Sequence, residues 1–268
     1  MNRYFLPLLG LPFLSISATA QDTFQHQANI TLGTVEWDDN QSDELIALSY
    51  DYYLAPISTE GPYALNGFLA QTSSLNASFN KAGGDAKLWT AGGTWVFGNN
   101  WFVRGNYSIT SDNQADFDVI NIGGGWFIND ATEASLHYIS TDIDADCDCN
   151  WGTDTWQAQI RSFVALQATA GVDLSASWRN NRGQFESSAY SYDESVNAFD
   201  LQADWYLTRS LALGAEIILF DDSNVDSQYS LSAQYWLPLG NTFSLQASLA
   251  HELQFSTWEA SVGVTGRF

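Results

Sequence analysis

The decapeptide WFVRGNYSIT, residues 101–110, alternates in character along its whole length. One phase is apolar or small: Trp101, Val103, Gly105, Tyr107 and Ile109. The other phase is mostly polar: Phe102, Arg104, Asn106, Ser108 and Thr110. Because side chains alternate faces along a β-strand, this pattern predicts a strand with one apolar and one polar surface. About 11 residues of such a strand, tilted near 45°, cover about 25 Å, the height of the apolar band of an outer-membrane barrel.

The same alternation recurs through the chain, in segments 168–179, 229–237, 243–252 and 258–268. A soluble β-sandwich alternates too, but its strands more often stop at about 5–6 residues. The pattern therefore predicts an all-β fold: a transmembrane antiparallel up-and-down β-barrel of about 14 strands, with 12 or 16 as alternatives. Segment 62–80 is the least clear strand, because it is long and rich in Ser and Asn toward its end.

The predicted turns fall into two alternating sets. The short ones are 98–100, 129–130, 208–210 and 238–241. The longer, Asp-rich ones are 38–43, 111–116, 142–154, 180–196 and 221–227. Short turns on one side and long loops on the other are typical of bacterial barrels. Loop 180–196 is expected to fold inward as a constriction or outward as a binding surface.

The first twenty residues differ from the rest. Arg3 precedes an apolar stretch, and Ala18-Thr19-Ala20 is an A-x-A cleavage pattern. We therefore expect residues 1–20 to be a signal peptide and residues 21–268 to form the barrel. Past Ala20 no apolar stretch is long enough for a transmembrane helix.

The composition is acidic and aromatic. The net charge is −22, which argues against a nucleic-acid partner, and removal of residues 1–20 would take away Arg3 and no acidic residue. The chain contains 11 Trp, 12 Tyr and 16 Phe. Membrane barrels use such rings at both interfaces, where one end of the side chain meets water and the other meets lipid.

The chain ends in an alternating strand, WEASVGVTGRF, with Phe268 last. This ending resembles the C-terminal signature of Gram-negative outer-membrane proteins. The resemblance implies recognition of Phe268 by the barrel-assembly machinery and a location in the outer membrane. The chain is also similar, as a pattern, to the small bacterial porins.

Charged residues in the polar phase are the candidate pore-lining residues. They are Asp51, Arg104, Glu133, Arg161, Asp173, Arg179, Asp200, Asp204, Glu216, Glu252, Glu259 and Arg267. Two interpretations remain open: opposed charges that set a transverse field in a pore, or ion pairs that cross the lumen and close it. About 14 strands with small polar inward residues should leave water inside.

The remaining motifs indicate no catalytic centre. Cys147 and Cys149 are expected to form a local disulfide in an acidic loop, since two thiols are at most half of a soft-metal site and the calcium-loop pattern is incomplete. The histidines are His26, His137 and His251, and no G-x-S-x-G occurs. Gly123–Gly125 lies inside a strand, where it is expected to allow close packing or make room for a neighbouring aromatic ring. We predict no enzyme activity, metal or cofactor.

The sequence thus predicts a porin-like passive diffusion channel for small hydrophilic solutes or ions, with a mild preference for cations. The alternative is a non-conducting structural, adhesin or receptor barrel that acts through acidic extracellular loops. Under either interpretation, the protein's other expected partners are outer-membrane lipid and lipopolysaccharide.

Overall fold

A computed structural model describes residues 23–36, 42–83, 86–111, 115–145, 149–187, 191–223 and 225–268. The predicted signal peptide and Cys147 lie outside these ranges. In chain order the strands are β1 (Thr23–Glu36), β2 (Ser42–Ser58), β3 (Ser74–Ala82), β4 (Lys87–Val96), β5 (Trp101–Ser111), β6 (Ala115–Asn129), β7 (Thr132–Ala145), β8 (Cys149–Val164), β9 (Gly171–Ser187), β10 (Ser191–Tyr206), β11 (Leu211–Phe220), β12 (Gln228–Leu239), β13 (Phe243–Glu252) and β14 (Thr257–Arg267).

The 14 strands form one closed barrel, which confirms the predicted fold. Each strand pairs antiparallel with the next, and β1 pairs with β14 over Gln27–Glu36, with Ile30 opposite Val264. Closure gives every strand a hydrogen-bonded neighbour on both sides. This is the condition for a β-sheet to lie in hydrocarbon, where water cannot satisfy backbone N–H and C=O groups.

The apolar phase of each strand forms the outer face. It carries large exposed side chains, including Ile30, Leu32, Trp95, Val103, Ile122, Leu201, Leu231 and Val262. Aromatic contacts occur toward both ends of this face. The rings of Phe79 and Trp89 lie 4.5 Å apart at one end, and those of Trp101 and Trp126 lie 6.1 Å apart at the other. This arrangement matches the two aromatic girdles expected at the membrane interfaces.

The two ends of the barrel differ in their connections. We call one the turn end: it holds Thr23, Phe268 and the connections 59–73, 97–100, 130–131, 165–170, 207–210 and 240–242. The opposite end is the loop end. The four predicted short turns all lie at the turn end, as the antiparallel order requires.

Two predicted loops are wrong in part. Within 142–154 and 180–196, the structure continues strands β7–β8 and β9–β10, with Ser191 still paired to Glu186. The apolar alternation stops there while the backbone pairing continues. The physical reason is that a hairpin extending beyond the bilayer meets water on its outer face and needs no apolar phase. Residues 188–190, at the tip of the predicted constriction loop, lie outside the described residues.

Segment 62–80 is also corrected. It contains a 3-10 turn at Tyr63–Leu65 and a short helix, α1 (Asn66–Ala70), before β3 begins at Ser74. The helix ends at Gln71, whose φ is 45°, and the Gln71 amide donates to the carbonyl of Phe68. Among the described residues, no helix is long and apolar enough to cross a membrane.

Candidate functional site in the barrel lumen

All twelve charged candidates lie on the inward-facing phase of their strands. Residues directly opposite one another in adjacent strands share a face, so the register fixes this placement. One row of partners runs around the wall through Glu133, Arg161, Ser175, Gln202, Glu216, Ser230 and Glu252. The large apolar side chains of the same strands occupy the opposite phase. Whether the twelve line a conducting pore remains a prediction.

Three ion pairs run along the wall rather than across the lumen. Arg161 binds Asp173 of the next strand through Nε and Nη2, with the shortest contact at 2.6 Å. Arg179 lies 3.8 Å from Asp200, also on the next strand, and Arg104 lies 3.6 Å from Glu133, two strands away. In the described part of the chain, these pairs therefore leave the middle of the lumen unbridged.

Two glycines of β6, Gly123 and Gly125, leave room for rings on the neighbouring strands. A Cβ on Gly123 would lie 2.3 Å from the His137 ring, and a Cβ on Gly125 would lie 2.6 Å from Cζ of Phe102. Both rings therefore occupy space that a side chain on β6 would fill. Of the two predicted roles, close packing or room for a neighbouring aromatic ring, the second is confirmed for Gly123 and Gly125.

Five of the candidate carboxylates have no cation within 4 Å in the described structure. They are Asp51, Asp204, Glu216, Glu252 and Glu259. Glu216, Glu252 and Glu259 line one cavity of ≈ 240 Å³ toward the loop end, together with Gln228 and Ser230. Near the turn end, Asp204 accepts a hydrogen bond from Gln202 at 2.9 Å. The wall of the lumen toward the loop end thus carries excess negative charge.

A segment missed by the sequence interpretation occupies the turn end of the lumen. We call residues 59–73 the plug. Its Leu65 is only 1% exposed and packs against Tyr206 and Ala212 of the inner wall, while Ala70 packs against the cluster that contains Tyr53. The Gln71 side chain donates to the Asn129 carbonyl oxygen at 2.6 Å, which links the plug to the last residue of β6.

Three arginines contact the plug. Arg267 donates to the carbonyl oxygen of Tyr63 at 3.0 Å, and its guanidinium carbon lies 5.3 Å from the Tyr63 ring centroid. Arg209 donates to the carbonyl oxygens of Gly61 and Thr59. Arg161 lies over the ring of Phe68 at 4.3 Å. Such cation–π and charge-assisted contacts anchor the plug to strands that are distant from it in sequence.

The inward face at the turn end is aromatic, which the predicted polar lumen did not include. The residues concerned are Phe24, Tyr53, Phe102, Phe127, Phe163, Tyr206 and Trp236. Several of these rings sit in the polar phase within a few residues of a strand end, as Phe102 does in the quoted decapeptide. This departure from the alternation of polar and apolar residues is the sequence signal from which the aromatic turn end could have been predicted. A register shift between Phe24 and His26 turns Phe24 inward.

The other candidate motifs do not converge on a reaction centre. His137 points inward and its Nδ1 lies 3.1 Å from Asn121 Oδ1, while the hydroxyl of neighbouring Ser135 has no partner in the described structure. Cys149 begins β8, but the predicted disulfide to Cys147 involves a residue that is not described. Among the described residues, no three His, Cys, Asp or Glu side chains are placed to hold a metal ion.

A closed barrel with an apolar outer band and a polar interior defines an outer-membrane β-barrel. The chain belongs to the family described as putative general bacterial porins, which matches residues 7–262. Membership in this family places the protein in the outer membrane, in contact with its lipid. No curated protein matches the chain in sequence.

Solved structures share this fold. Omp33, an outer membrane protein of Acinetobacter baumannii, superimposes with a TM-score of 0.62 at 16% identity, over 92% of this chain and 99% of that chain. A bacterial polysaccharide outer membrane secretin superimposes with a TM-score of 0.58 at 12% identity, over 91% of this chain and 98% of that chain. The monoaromatic hydrocarbon channel CymD superimposes with a TM-score of 0.51 at 10% identity, over 92% of this chain and 89% of that chain. At these identities the likeness shows the fold alone.

The ion pair between Arg161 and Asp173 should be the most stabilising of the three. We predict that Asp173→Asn lowers the free energy of unfolding by about 2 kcal/mol, because it leaves a half-buried guanidinium without its bidentate partner. Urea titration of the barrel refolded in lipid measures this quantity. Asp204→Asn is the matched control, since Asp204 lies directly opposite Asp173 and should change it by less than about 0.5 kcal/mol. Equal losses for the two variants would contradict the assignment.

Proposed function

We propose that this protein is a passive diffusion channel for small hydrophilic solutes and ions, mildly selective for cations and narrowed at the turn end by the plug. The observation that carries the proposal is a closed 14-strand wall with a polar inward face and unpaired carboxylates. Porin family membership supports the channel and a non-enzymatic role. Export by residues 1–20 and assembly through Phe268 belong to the same proposal.

The width of the barrel supports an aqueous path. An eight-stranded barrel is filled by its own side chains, whereas barrels of 16–18 strands leave a water-filled channel. With 14 strands, small inward residues such as Ser230, Ser248 and Ser261 do not reach across the lumen. The plug fills part of the remaining space, so the turn end should be the narrowest section.

Charge supports the cation preference. Each of Arg104, Arg161 and Arg179 lies within 4 Å of a carboxylate, and Arg267 lies against the plug with a 6% exposed surface. Five of the candidate carboxylates are left without a cation partner among the described residues. A lumen whose wall carries net negative charge concentrates cations and repels anions.

The extended hairpins β7–β8 and β9–β10, together with the plug, favour a second candidate. A barrel whose lumen is blocked at the turn end would act through the surface that these hairpins present at the loop end. It would then be an adhesin, a receptor or a structural protein.

The first test is the reversal potential of single channels in a planar bilayer under a potassium chloride gradient. We expect stable open steps and a cation-selective sign. Replacing Glu216, Glu252 and Glu259 together by Gln should reduce the cation-to-anion permeability ratio by about twofold or more, because it removes the carboxylates of the loop-end cavity.

The control is Asp118→Asn combined with Asp154→Asn, which changes acids on the outward phase of β6 and β8. It should leave the ratio nearly unchanged. Anion selectivity of the unmodified protein would refute the cation preference. A correctly folded barrel that shows no steps would refute the channel and favour the second candidate.

The plug generates a separate prediction. Replacing residues 62–70 by a Gly/Ser segment of equal length should raise single-channel conductance, because it removes Tyr63, Leu65 and Phe68 from the turn end. The control is the same kind of replacement in connection 221–227, at the loop end, which should have little effect. Unchanged conductance in the first variant, with the barrel folded by circular dichroism, would show that the plug does not limit flow.

A further inference from the structure

The plug forms one side of a second lumenal cavity, of ≈ 360 Å³, whose other sides are strands β2 to β8. Four charged side chains line it: Asp51, Glu133, Arg104 and Arg161. Two carboxylates and two guanidiniums give this cavity a formal charge of zero. The loop-end cavity differs, because its charged lining consists of three glutamates. The plug-side cavity is therefore not suited to select a simple cation or a simple anion.

One of the four charged groups, Asp51, is unpaired in the part of the chain that the structure describes, and a second, Arg104, keeps unused N–H donors although it forms an ion pair with Glu133. Arg161 is committed to Asp173, and Glu133 is buried at 4% exposure. Asp51, in contrast, makes no hydrogen bond or ion pair to the described residues. Arg104 donates its Nε to Thr94 at 3.1 Å, and its Nη2 lies 3.6 Å from Glu133, outside hydrogen-bond range. Since a guanidinium carries five N–H donors, most of those of Arg104 are left for a bound group.

Carboxamides lie on the wall between these two charges. The register pairs Asp51 with Asn76, Asn76 with Gly92, and Gly92 with Asn106. At a strand spacing of about 4.8 Å, the backbones at Asp51 and Asn106 are about 14 Å apart. A Cβ on Gly92 would lie 1.9 Å from the Asn106 side-chain oxygen, so that carboxamide lies over Gly92. The wall thus presents, in order, a carboxylate, two amides and, two residues further along β5, a guanidinium.

We propose that this cavity is a binding site for short zwitterionic solutes of the dipeptide class. The ligand's ammonium group faces Asp51, its carboxylate faces Arg104, and its peptide bond faces Asn76 and Asn106. The two charges offered to the ligand, a carboxylate at Asp51 and a guanidinium at Arg104, are opposite in sign to the ends that face them. This inference rests on the proposed function, because it identifies what the channel carries past the plug.

The opposed charges select against ligands with one charged end. A solute with only a carboxylate gains Arg104 but is repelled by Asp51, and a solute with only an ammonium group loses the partner at Arg104. Each unmatched end also leaves a protein charge without a partner. A zwitterion of sufficient length satisfies both groups at once, which is the basis of the selectivity.

The test is ligand-observed saturation-transfer NMR on the full barrel in detergent micelles, with four isosteric probes at about pH 6.5, where an α-amino group is protonated. The probes are glycylglycine, N-propionylglycine (a methyl group replaces the ammonium), glycylglycinamide (an amide replaces the carboxylate) and N-propionylglycinamide. We expect glycylglycine to bind best, with each single-ended probe about fivefold weaker, as partly exposed ion pairs allow.

Substitutions in the protein test which side chain binds each end of the ligand. Asp51→Asn should weaken the binding of glycylglycine and glycylglycinamide about fivefold and leave the binding of N-propionylglycine unchanged. The second variant combines Arg104→Gln with Glu133→Gln, so that no buried carboxylate is left unpaired. It should weaken the binding of glycylglycine and N-propionylglycine and leave the binding of glycylglycinamide unchanged. Glu133→Gln alone should keep the preference for a carboxylate, and the outward Asp118→Asn should change no probe.

Equal binding of the four probes, or variants that do not separate the two ends, would overturn the site. The NMR experiment requires no ion current, so its failure is distinct from failure of the proposed function. Open steps in salt together with equal probe binding would leave a channel without this site. End-specific binding without steps would establish the site in a barrel that does not conduct.

Discussion

The rest of this structure depends on backbone hydrogen bonding across the seam between β1 and β14. In hydrocarbon an unpaired N–H or C=O group costs several kcal/mol, so the sheet must close on itself. The last residue takes part in that closure: the Phe268 amide donates to the carbonyl of His26, and its own carbonyl accepts from Gln25 and His26. Once the seam is closed, each strand has one face toward lipid and one toward the lumen.

Closure with 14 strands creates the second constraint, which is the filling of the lumen. Wall side chains alone do not span a barrel of this width. At the turn end the space is taken by inward aromatic rings and by the plug, which Arg161, Arg209 and Arg267 contact from three different strands or turns. Toward the loop end the space is left to polar and acidic side chains. The lumen is therefore partly filled by the plug at the turn end and is lined by unpaired carboxylates toward the loop end.

The sequence predicted the features that depend on local alternation. The barrel, the outward face of β5 and the inward phase of residues such as Arg104 follow from a two-residue period. It did not predict the plug, because the partners of Tyr63 and Phe68 lie about a hundred residues or more away in sequence, as Arg161, Trp236 and Arg267 do. It also did not predict the length of hairpin β9–β10, since polar residues above the bilayer are compatible with either a loop or a paired strand.

The most direct test of the central claim is thiol accessibility at two neighbouring positions of β13, with Cys147 and Cys149 replaced by Ser. Ser248 lies on the inward phase, opposite Gln234 and Ser261, and Ala247 lies on the outward phase, opposite Tyr235 and Val262. In liposomes, a charged methanethiosulfonate should react with Ser248→Cys and not with Ala247→Cys. Reaction at Ala247→Cys alone, or at neither position, would contradict a closed barrel with a water-filled lumen.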